Sequence, residues 1–354
     1  MTLPIPVAIL GATGAVGQRF IQLLQAHPWF KVSELVASER SSGRAYAEVA
    51  RWVLSDTIPP EIGATTVKAL DAPLDSPIVF SALPSEVAQE VEARLARAGH
   101  MVFSNASAYR MAPDVPILMP EVNAEHLALL ACQRSARNWT GGIVTNSNCT
   151  ASPLVMALAP LRAFQPEALS LVSMQAVSGA GYPGVPSLDI MDNVIPYIAK
   201  EEEKLNEEPA KILGTLTDET IIPFPMVVDA ACNRVPVLDC HLINVVVRFQ
   251  QHPTLDDLLA SWHSFQGPGN VPHLPSAPAQ PVIVANQPDR PQPRRDRYAG
   301  EGMSTVVGRL REAPAFGGVQ FLALAHNTIR GAAGCSILNA ELAVQEGYVP
   351  NISL

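Results

Sequence analysis

Gly11-Ala12-Thr13-Gly14-Ala15-Val16-Gly17 is the stretch whose reading decides the fold of the first third of the chain. It follows an apolar run at 5–10 with strand composition, and it opens a segment with Val16, Phe20, Leu23 and Leu24 at helical spacing. Strand, glycine loop and helix form the context in which backbone N–H groups meet a pyrophosphate. Glycine permits the tight turn and the close approach, and the helix start adds unpaired donors and positive potential. Gly11, Thr13, Gly14, Ala15, Val16 and Gly17 are therefore candidate dinucleotide contacts. The spacing is GxxGxxG rather than GxGxxG, so a plain strand-to-helix turn competes with this reading.

Outward from the loop, β-rich runs at 32–37, 78–82, 101–103 and 143–145 alternate with helical stretches. One helix is expected to run to about residue 25 and another over 84–98, with Pro84 in its first turn. Alternation of this kind predicts a parallel α/β sheet. The second strand ends in Ser38-Glu39-Arg40-Ser41-Ser42-Gly43-Arg44. A site selective for NAD presents an acid to the ribose 2′-hydroxyl, whereas an arginine flanked by hydroxyls suits a 2′-phosphate. Ser38, Arg40 and Ser41 point to NADP, although Glu39 can also face the ribose.

The remaining chain has a different pattern. Runs at 169–178, 226–237, 241–250, 304–311 and 319–325 predict a mixed or antiparallel sheet. A proline-rich stretch at 267–297 has no helical period and is too long for a passive connector, so it is expected to pack over a neighbouring surface such as another subunit. The small-residue helix at 329–347 is expected to return to the first domain. At 354 residues, with 48% apolar and 16% charged side chains, two domains with ample core material are the natural expectation.

A net charge of −9 argues against nucleic acid and anionic membranes as partners. No apolar run reaches the roughly 18 residues of a membrane span, and the amino terminus lacks the basic start of a signal peptide. The five cysteines are scattered without CxxC spacing, which argues against disulfides and metal and for a reducing cytoplasm.

Cys149 stands apart from the other four cysteines. It lies in Thr145-Asn146-Ser147-Asn148-Cys149-Thr150, between a strand and a helix expected to begin near it. A cysteine at a helix start gains thiolate stability. Cys132, Cys232, Cys240 and Cys335 lie on apolar segments and are read as buried structural residues. His241 follows Arg234 by seven residues, so a turn at 239–240 lets the two bracket one cavity, with the imidazole as acid/base.

With these motifs in place, the sequence resembles the aspartate-semialdehyde dehydrogenase family, particularly its archaeal and fungal branch. The likeness covers GATGAVG, SERSSG, SNASAYRM, SNCT, QAVSGAGYPG, EEPAK, CNRVPV, RPQPRRDRYAGEGMSTVVGRL and HNTIRGAAGCSILNAEL in order, nearly end to end. It implies a Rossmann-type parallel-sheet NADP-binding domain and an α+β catalytic and dimerisation domain with a mixed sheet, as in glyceraldehyde-3-phosphate dehydrogenase-like enzymes. The first is expected over 1–148, completed by 328–354, and the second over 149–327. The implied activity is NADPH-dependent reductive dephosphorylation of aspartyl phosphate to aspartate semialdehyde through a Cys149 thioester.

The resemblance also implies residue roles. Cys149 matches the nucleophile, His241 the acid/base and Gln175 a residue that positions the acyl group. Arg234 matches the partner of the substrate carboxylate and Glu208 that of its ammonium. Arg110 and Lys211 match the phosphate site, with Asn105 and Asn148 as companions, and Ser178, Gly179 and Asn327 lie near the nicotinamide. A homodimer or homotetramer is implied. Ser147 and Thr150 depart from the proline and serine usual in this branch. Malonyl-CoA reductase shares the thioester chemistry but needs no partner for an ammonium, and N-acetyl-glutamyl-phosphate reductase differs in its cysteine motif. A cysteine hydrolase and a non-catalytic NADP-binding protein are the readings from other classes.

Overall fold

The computed structural model describes residues 4–54, 57–350 and 352. Five parallel strands, β1 (Ile5–Leu10), β2 (Phe30–Val36), β3 (Ile78–Ser81), β4 (Met101–Ser104) and β5 (Gly142–Thr145), form one sheet in the order β2-β1-β3-β4-β5. Beyond β2, Val36 bridges Lys68 in parallel, so a sixth strand position is reduced to one bridge. Including that bridge, the sheet has the doubly wound order of dinucleotide-binding folds, with β1 next to the point where the order reverses. Val7, Ala8, Ile9 and the whole of β3 are fully buried, because helices cover both faces of the sheet. The longer helices here are α1 (Ala15–Leu24), α2 (Ser85–Arg97) and α3 (Leu129–Arg137).

The apolar stripe of α1 holds with two members only partly covered, and the start of α2 is corrected. α1 buries Gly17, Phe20, Ile21 and Leu24, whereas Val16 and Leu23 are only partly covered. Both still pack against the core of the first sheet, and Gly17 faces the loop, where a Cβ would lie 2.3 Å from the Gly11 carbonyl oxygen. Pro84 stands before α2 in extended conformation as its N-cap, and Ser85 begins the helix.

The second sheet has six strands: β6 (Pro166–Gln175), β9 (Val227–Arg234), β10 (His241–Phe249), β11 (Val282–Ala285), β12 (Thr305–Ala313) and β13 (Gly318–Ala325). A small hairpin of β7 (Thr215–Leu216) and β8 (Ile221–Ile222) lies between β6 and β9 in the chain. The order is β11-β12-β13-β10-β6-β9, with parallel pairs at both edges and antiparallel pairs between. Burial alternates along β10, so one face packs on helices α4 (Ala151–Leu158), α5 (Glu201–Ile212) and α6 (Leu255–Ser264). Leu154, Leu158 and Leu161 join Ile243, Val245 and Phe321 in that core. β6 ends at Gln175 rather than 178, where a short 3₁₀ turn takes over.

The proline-rich stretch packs within its own chain. It supplies edge strand β11, paired with β12, and its Val271 and Leu274 enter the core of the first sheet. The terminal segment begins as a π-helical turn over Ile329–Ala333 and continues as α7 (Gly334–Gln345), whose residues through Val344 are all buried. Ile337, Leu338, Leu342 and Val344 belong to the same core as Phe20 and Phe103, so this helix returns to the first sheet. Cys132 is half-exposed on α3 rather than buried, its thiol donating to the Asp218 carbonyl.

Arg330, in the π-helical turn, pairs with Glu121 through Nη1–Oε1 at 2.5 Å and Nη2–Oε2 at 3.0 Å, and both side chains are almost fully buried. Removing one member strands the other charge in the interior. Glu121→Ala is expected to lower unfolding free energy by ~3–5 kcal/mol in denaturant titration. A loss below ~1 kcal/mol would show that the pair does not anchor the turn.

Candidate active site

Cys149 lies in the turn between β5 and α4. It is the one residue in 141–150 that keeps partial access to the cleft. Asn148 Oδ1 accepts the Thr150 and Ala151 N–H groups at 2.8 and 3.1 Å, so the helix start is capped by Asn148 rather than left open to the sulfur. Cys149 Sγ lies 3.2 Å from His241 Nε2. His241 is the first residue of β10, and its Nδ1 accepts the Ala176 N–H at 3.1 Å. That contact leaves the proton of a neutral ring on Nε2, facing sulfur. Gly331, in the π-helical turn, backs Cys149: a Cβ there would lie 2.8 Å from the Cys149 Cβ.

Burial, reinforced by the Glu201 charge, pushes the Cys149 thiol up, while Arg110, Lys204 and Arg234 oppose the shift. Burial, then the Arg234 charge, pushes His241 down to about 3. The expectation of a thiolate stabilised by the helix start is therefore corrected. At rest the pair is a neutral thiol beside a neutral imidazole, because desolvation outweighs the capped helix end.

Arg234 and His241 do bracket one space. Arg234 Nη1 donates to the Ala176 carbonyl at 2.8 Å. A Cβ on Gly179 would lie 2.8 Å from Arg234 Nη1 and 3.0 Å from the His241 ring, so a larger residue there would press on both. Gln175 Nε2 donates to Ser173 Oγ at 3.2 Å and reaches the Glu201 carboxylate at 3.4 Å.

Glu201 and Lys204, which the sequence reading passed over, join this group. The Glu201 carboxylate accepts Asn148 Nδ2 at 3.0 Å and Lys204 Nζ at 2.7 Å. Its pKa is lowered despite burial, chiefly by the Lys204 charge.

Glu208 and Lys211, one α5 turn-pair further on, do not present free charges. Glu208 accepts Arg110 Nη1 at 2.9 Å and the Asn148 backbone N–H at 2.6 Å, which uses both oxygens. Lys211 Nζ donates to the carbonyls of Arg110, Ala112 and Val115 at 2.6, 2.7 and 2.7 Å. Burial pushes its pKa down to about 8, against Asp114 and Glu208. Glu208 thus orients Arg110, and Lys211 fixes the loop that carries it. The signal for Glu201 and Lys204 was present: they share the i, i+3 spacing of Glu208 and Lys211, seven residues earlier on the same helix face.

Arg110, Lys204, Lys200 and Ser107 share a pocket of about 350 Å³ with Glu203, Glu207 and Glu208. Asn105 does not turn into it. Its Nδ2 donates to the Ser81 carbonyl at 3.2 Å, and its Oδ1 accepts Asn146 Nδ2 at 3.1 Å.

The second cleft runs along the glycine loop. Gly11 has φ +72°, and a Cβ there would lie 2.7 Å from the Ala82 carbonyl oxygen, so this turn requires glycine. Thr13, Gly14, Ala15 and Val16 keep solvent access, and Gly14 is the N-cap of α1. Ser38, Arg40 and Ser41 stand open at the end of β2. On the opposite wall, Asn327 Nδ2 donates to Ser178 Oγ at 2.8 Å while its Oδ1 accepts the Cys240 N–H at 2.8 Å. A cavity of about 480 Å³ lies between these walls, bordered by Ala15, Val53, Ser178 and Tyr182. A glycine turn without side chains, an open helix start and hydroxyls beside an arginine fit a phosphorylated dinucleotide.

A parallel sheet of dinucleotide-binding order joined to a mixed sheet, with a cysteine–histidine pair where they meet, is the architecture of a dinucleotide-dependent dehydrogenase. Comparison with known proteins narrows this. Residues 6–130 match the semialdehyde dehydrogenase NAD-binding domain and residues 158–330 the semialdehyde dehydrogenase dimerisation domain. An aspartate-semialdehyde dehydrogenase from Archaeoglobus fulgidus is 50% identical over 97% of this chain and 99% of its own. The crystal structure of aspartate semialdehyde dehydrogenase with NADP from Candida albicans superposes with a TM-score of 0.89 at 38% identity, covering 98% of this chain and 100% of that one. A malonyl-CoA reductase (NADP) from Metallosphaera sedula is 38% identical over 99% of both chains. The chain belongs to the aspartate-semialdehyde dehydrogenase family. No helix among the described residues is long and apolar enough to cross a membrane.

Gly331→Ala must displace Cys149, since the added methyl has no room. Its turnover is expected to fall ~10–100-fold while dinucleotide binding, followed by nucleotide fluorescence, persists. Undiminished turnover would show that the backing contact does not set the position of the sulfur.

Proposed function

We propose that the protein is an aspartate-semialdehyde dehydrogenase that reduces L-aspartyl 4-phosphate with NADPH. The reading is carried by one arrangement: Cys149 and His241 at 3.2 Å, with Arg234 and Glu201 beside them and Arg110 and Lys204 acting on the same sulfur. An amino-acid substrate has a carboxylate for Arg234 and an ammonium for Glu201, while the acyl phosphate meets Arg110 and Lys204. This places Glu201 and Lys204 in the roles the sequence suggested for Glu208 and Lys211.

Cys149 Sγ attacks the acyl carbon, the bond to phosphate breaks, and phosphate leaves among Arg110 and Lys204 as a thioester forms. The substrate carboxylate on Arg234 offsets a charge that depresses His241. The thiol proton leaves with the phosphate, while the His241 Nε2–H donates to the sulfur and then to the oxyanion left by reduction of the thioester, whose collapse to the aldehyde expels the thiolate. Asn148 and Gln175, both tied to Glu201, keep the acyl group oriented. The nicotinamide, when bound beside Ser178, Gly179 and Asn327, supplies the hydride that reduces the thioester. Gly11–Gly17 hold its pyrophosphate, and Ser38, Arg40 and Ser41 the 2′-phosphate.

The same reading includes a homodimer or homotetramer in the cytoplasm, with no nucleic-acid or membrane partner. Leu188, Met191, Val194 and Tyr197 are exposed on one segment of the second domain, and Val172 and Val227 on its sheet, which supports a second copy covering this side. The proposed domain limits are 1–148 with 328–354, and 149–327. Residues 1–3, 55–56, 351 and 353–354 of these lie outside the described ones.

Incubation with aspartate semialdehyde, phosphate and NADP is expected to raise NADPH absorbance. Turnover confined to malonyl-CoA with NADPH would instead favour the reductase chemistry of the Metallosphaera relative. Cys149→Ala is expected to abolish turnover with cofactor binding nearly intact, and retained turnover would exclude the thioester. Lys204→Met is expected to raise the phosphate KM by about tenfold or more. Lys211→Met, which unties three carbonyls, is expected to lower thermal stability first. A reversed pattern would return the phosphate role to Lys211.

A further inference from the structure

Behind the loop that carries Arg110 lies a carboxyl that this chemistry does not use. Glu92, on α2, is fully buried, and its Oε1 accepts the Ser104 hydroxyl at 2.6 Å. The same Ser104 oxygen accepts the Ala106 N–H at 3.1 Å. β4 ends at Ser104, so Glu92 braces the first turn of the loop that carries Asn105 and Arg110. Arg110 Nη2 closes that loop on the Asn105 carbonyl at 2.7 Å. The second Glu92 oxygen and Arg110 Nε are buried without a hydrogen-bond partner, and the buried Ser81 hydroxyl faces the same carboxyl.

The groups facing Glu92 are few. Ser104 comes from β4, Ser81 from β3, and Tyr109 and Arg110 from the loop; Tyr109 donates to the Gln89 carbonyl on α2 itself. Arg110 is the cation whose charge acts on Glu92. Arg110 is already balanced by Glu208 at 2.9 Å. A second buried anion beside it would lower the positive potential left for a phosphate.

We propose that Glu92 is a positioning residue of the phosphate subsite: as a neutral acid it braces the loop with Arg110 available to the ligand, and as a carboxylate it competes for Arg110 and weakens phosphate binding. This rests on the reading that Arg110 serves that subsite. Burial pushes the Glu92 carboxyl up to about 7, against the Ser104 and Ser81 hydroxyls and the Arg110 charge. A raised carboxyl is neutral below that value and ionises above it, so phosphate binding weakens as pH rises through neutrality.

The test is the phosphate KM of wild type and Glu92→Gln from about pH 6 to about pH 8.5. Taking the ratio of the two enzymes cancels the ionisation of inorganic phosphate. The wild-type-to-variant ratio is expected to rise several-fold across this range, with no such trend in the KM for NADP. A constant ratio overturns the proposal. If Glu92→Gln does not fold, Ser104→Ala serves: losing the hydroxyl that favours the carboxylate must shift the profile to higher pH, and an unmoved profile overturns the proposal. Arg110→Leu separates the two levels. An unchanged phosphate KM there removes the subsite itself, whereas a raised KM with a constant Glu92→Gln ratio removes only the role of Glu92.

Discussion

Holding Cys149 Sγ 3.2 Å from His241 Nε2 constrains most of this chain. The sulfur follows the last strand of a parallel sheet, and the imidazole opens a strand of a mixed one. Neither sheet builds the site alone, so the two must be locked together. The π-helical turn does this: Gly331 touches Cys149, Arg330 is anchored to Glu121, and α7 then runs into the core of the first sheet. Ala176 steers both partners from the other side, its N–H on His241 and its carbonyl on Arg234.

The price of that enclosure is desolvation. Both members of the pair are driven to their neutral forms, so the empty site holds a weak nucleophile. The charges of Arg110, Lys204 and Arg234 work against that shift at the sulfur and favour its anionic form. Glu201 makes this balance tunable. It opposes the thiolate, favours the imidazolium and holds Asn148, Gln175 and Lys204 by its oxygens. A substrate that brings both a carboxylate and an ammonium changes both terms together.

What the sequence revealed follows from what is local. The glycine loop, the parallel strands and the polar surroundings of Cys149 are set within a few residues, so period and motif expose them. The α5 pairs are not local in this sense. Glu201 with Lys204 and Glu208 with Lys211 have the same spacing on the same face, and only the packing of the first turn against Asn148 and Gln175 shows which pair meets the cleft. The proline-rich stretch hid the four-residue edge strand Val282–Ala285, whose partner lies twenty residues on. The helix start beside Cys149 is visible in sequence, whereas the burial that pushes its thiol up is not.

The most direct test is to catch the covalent step. The enzyme is mixed with aspartyl phosphate in the absence of reductant, quenched in acid and digested, and its peptides are weighed. The account predicts one aspartyl group on the peptide containing Cys149, released by hydroxylamine as a thioester should be. An unmodified Cys149, or the acyl group on another cysteine, would contradict it.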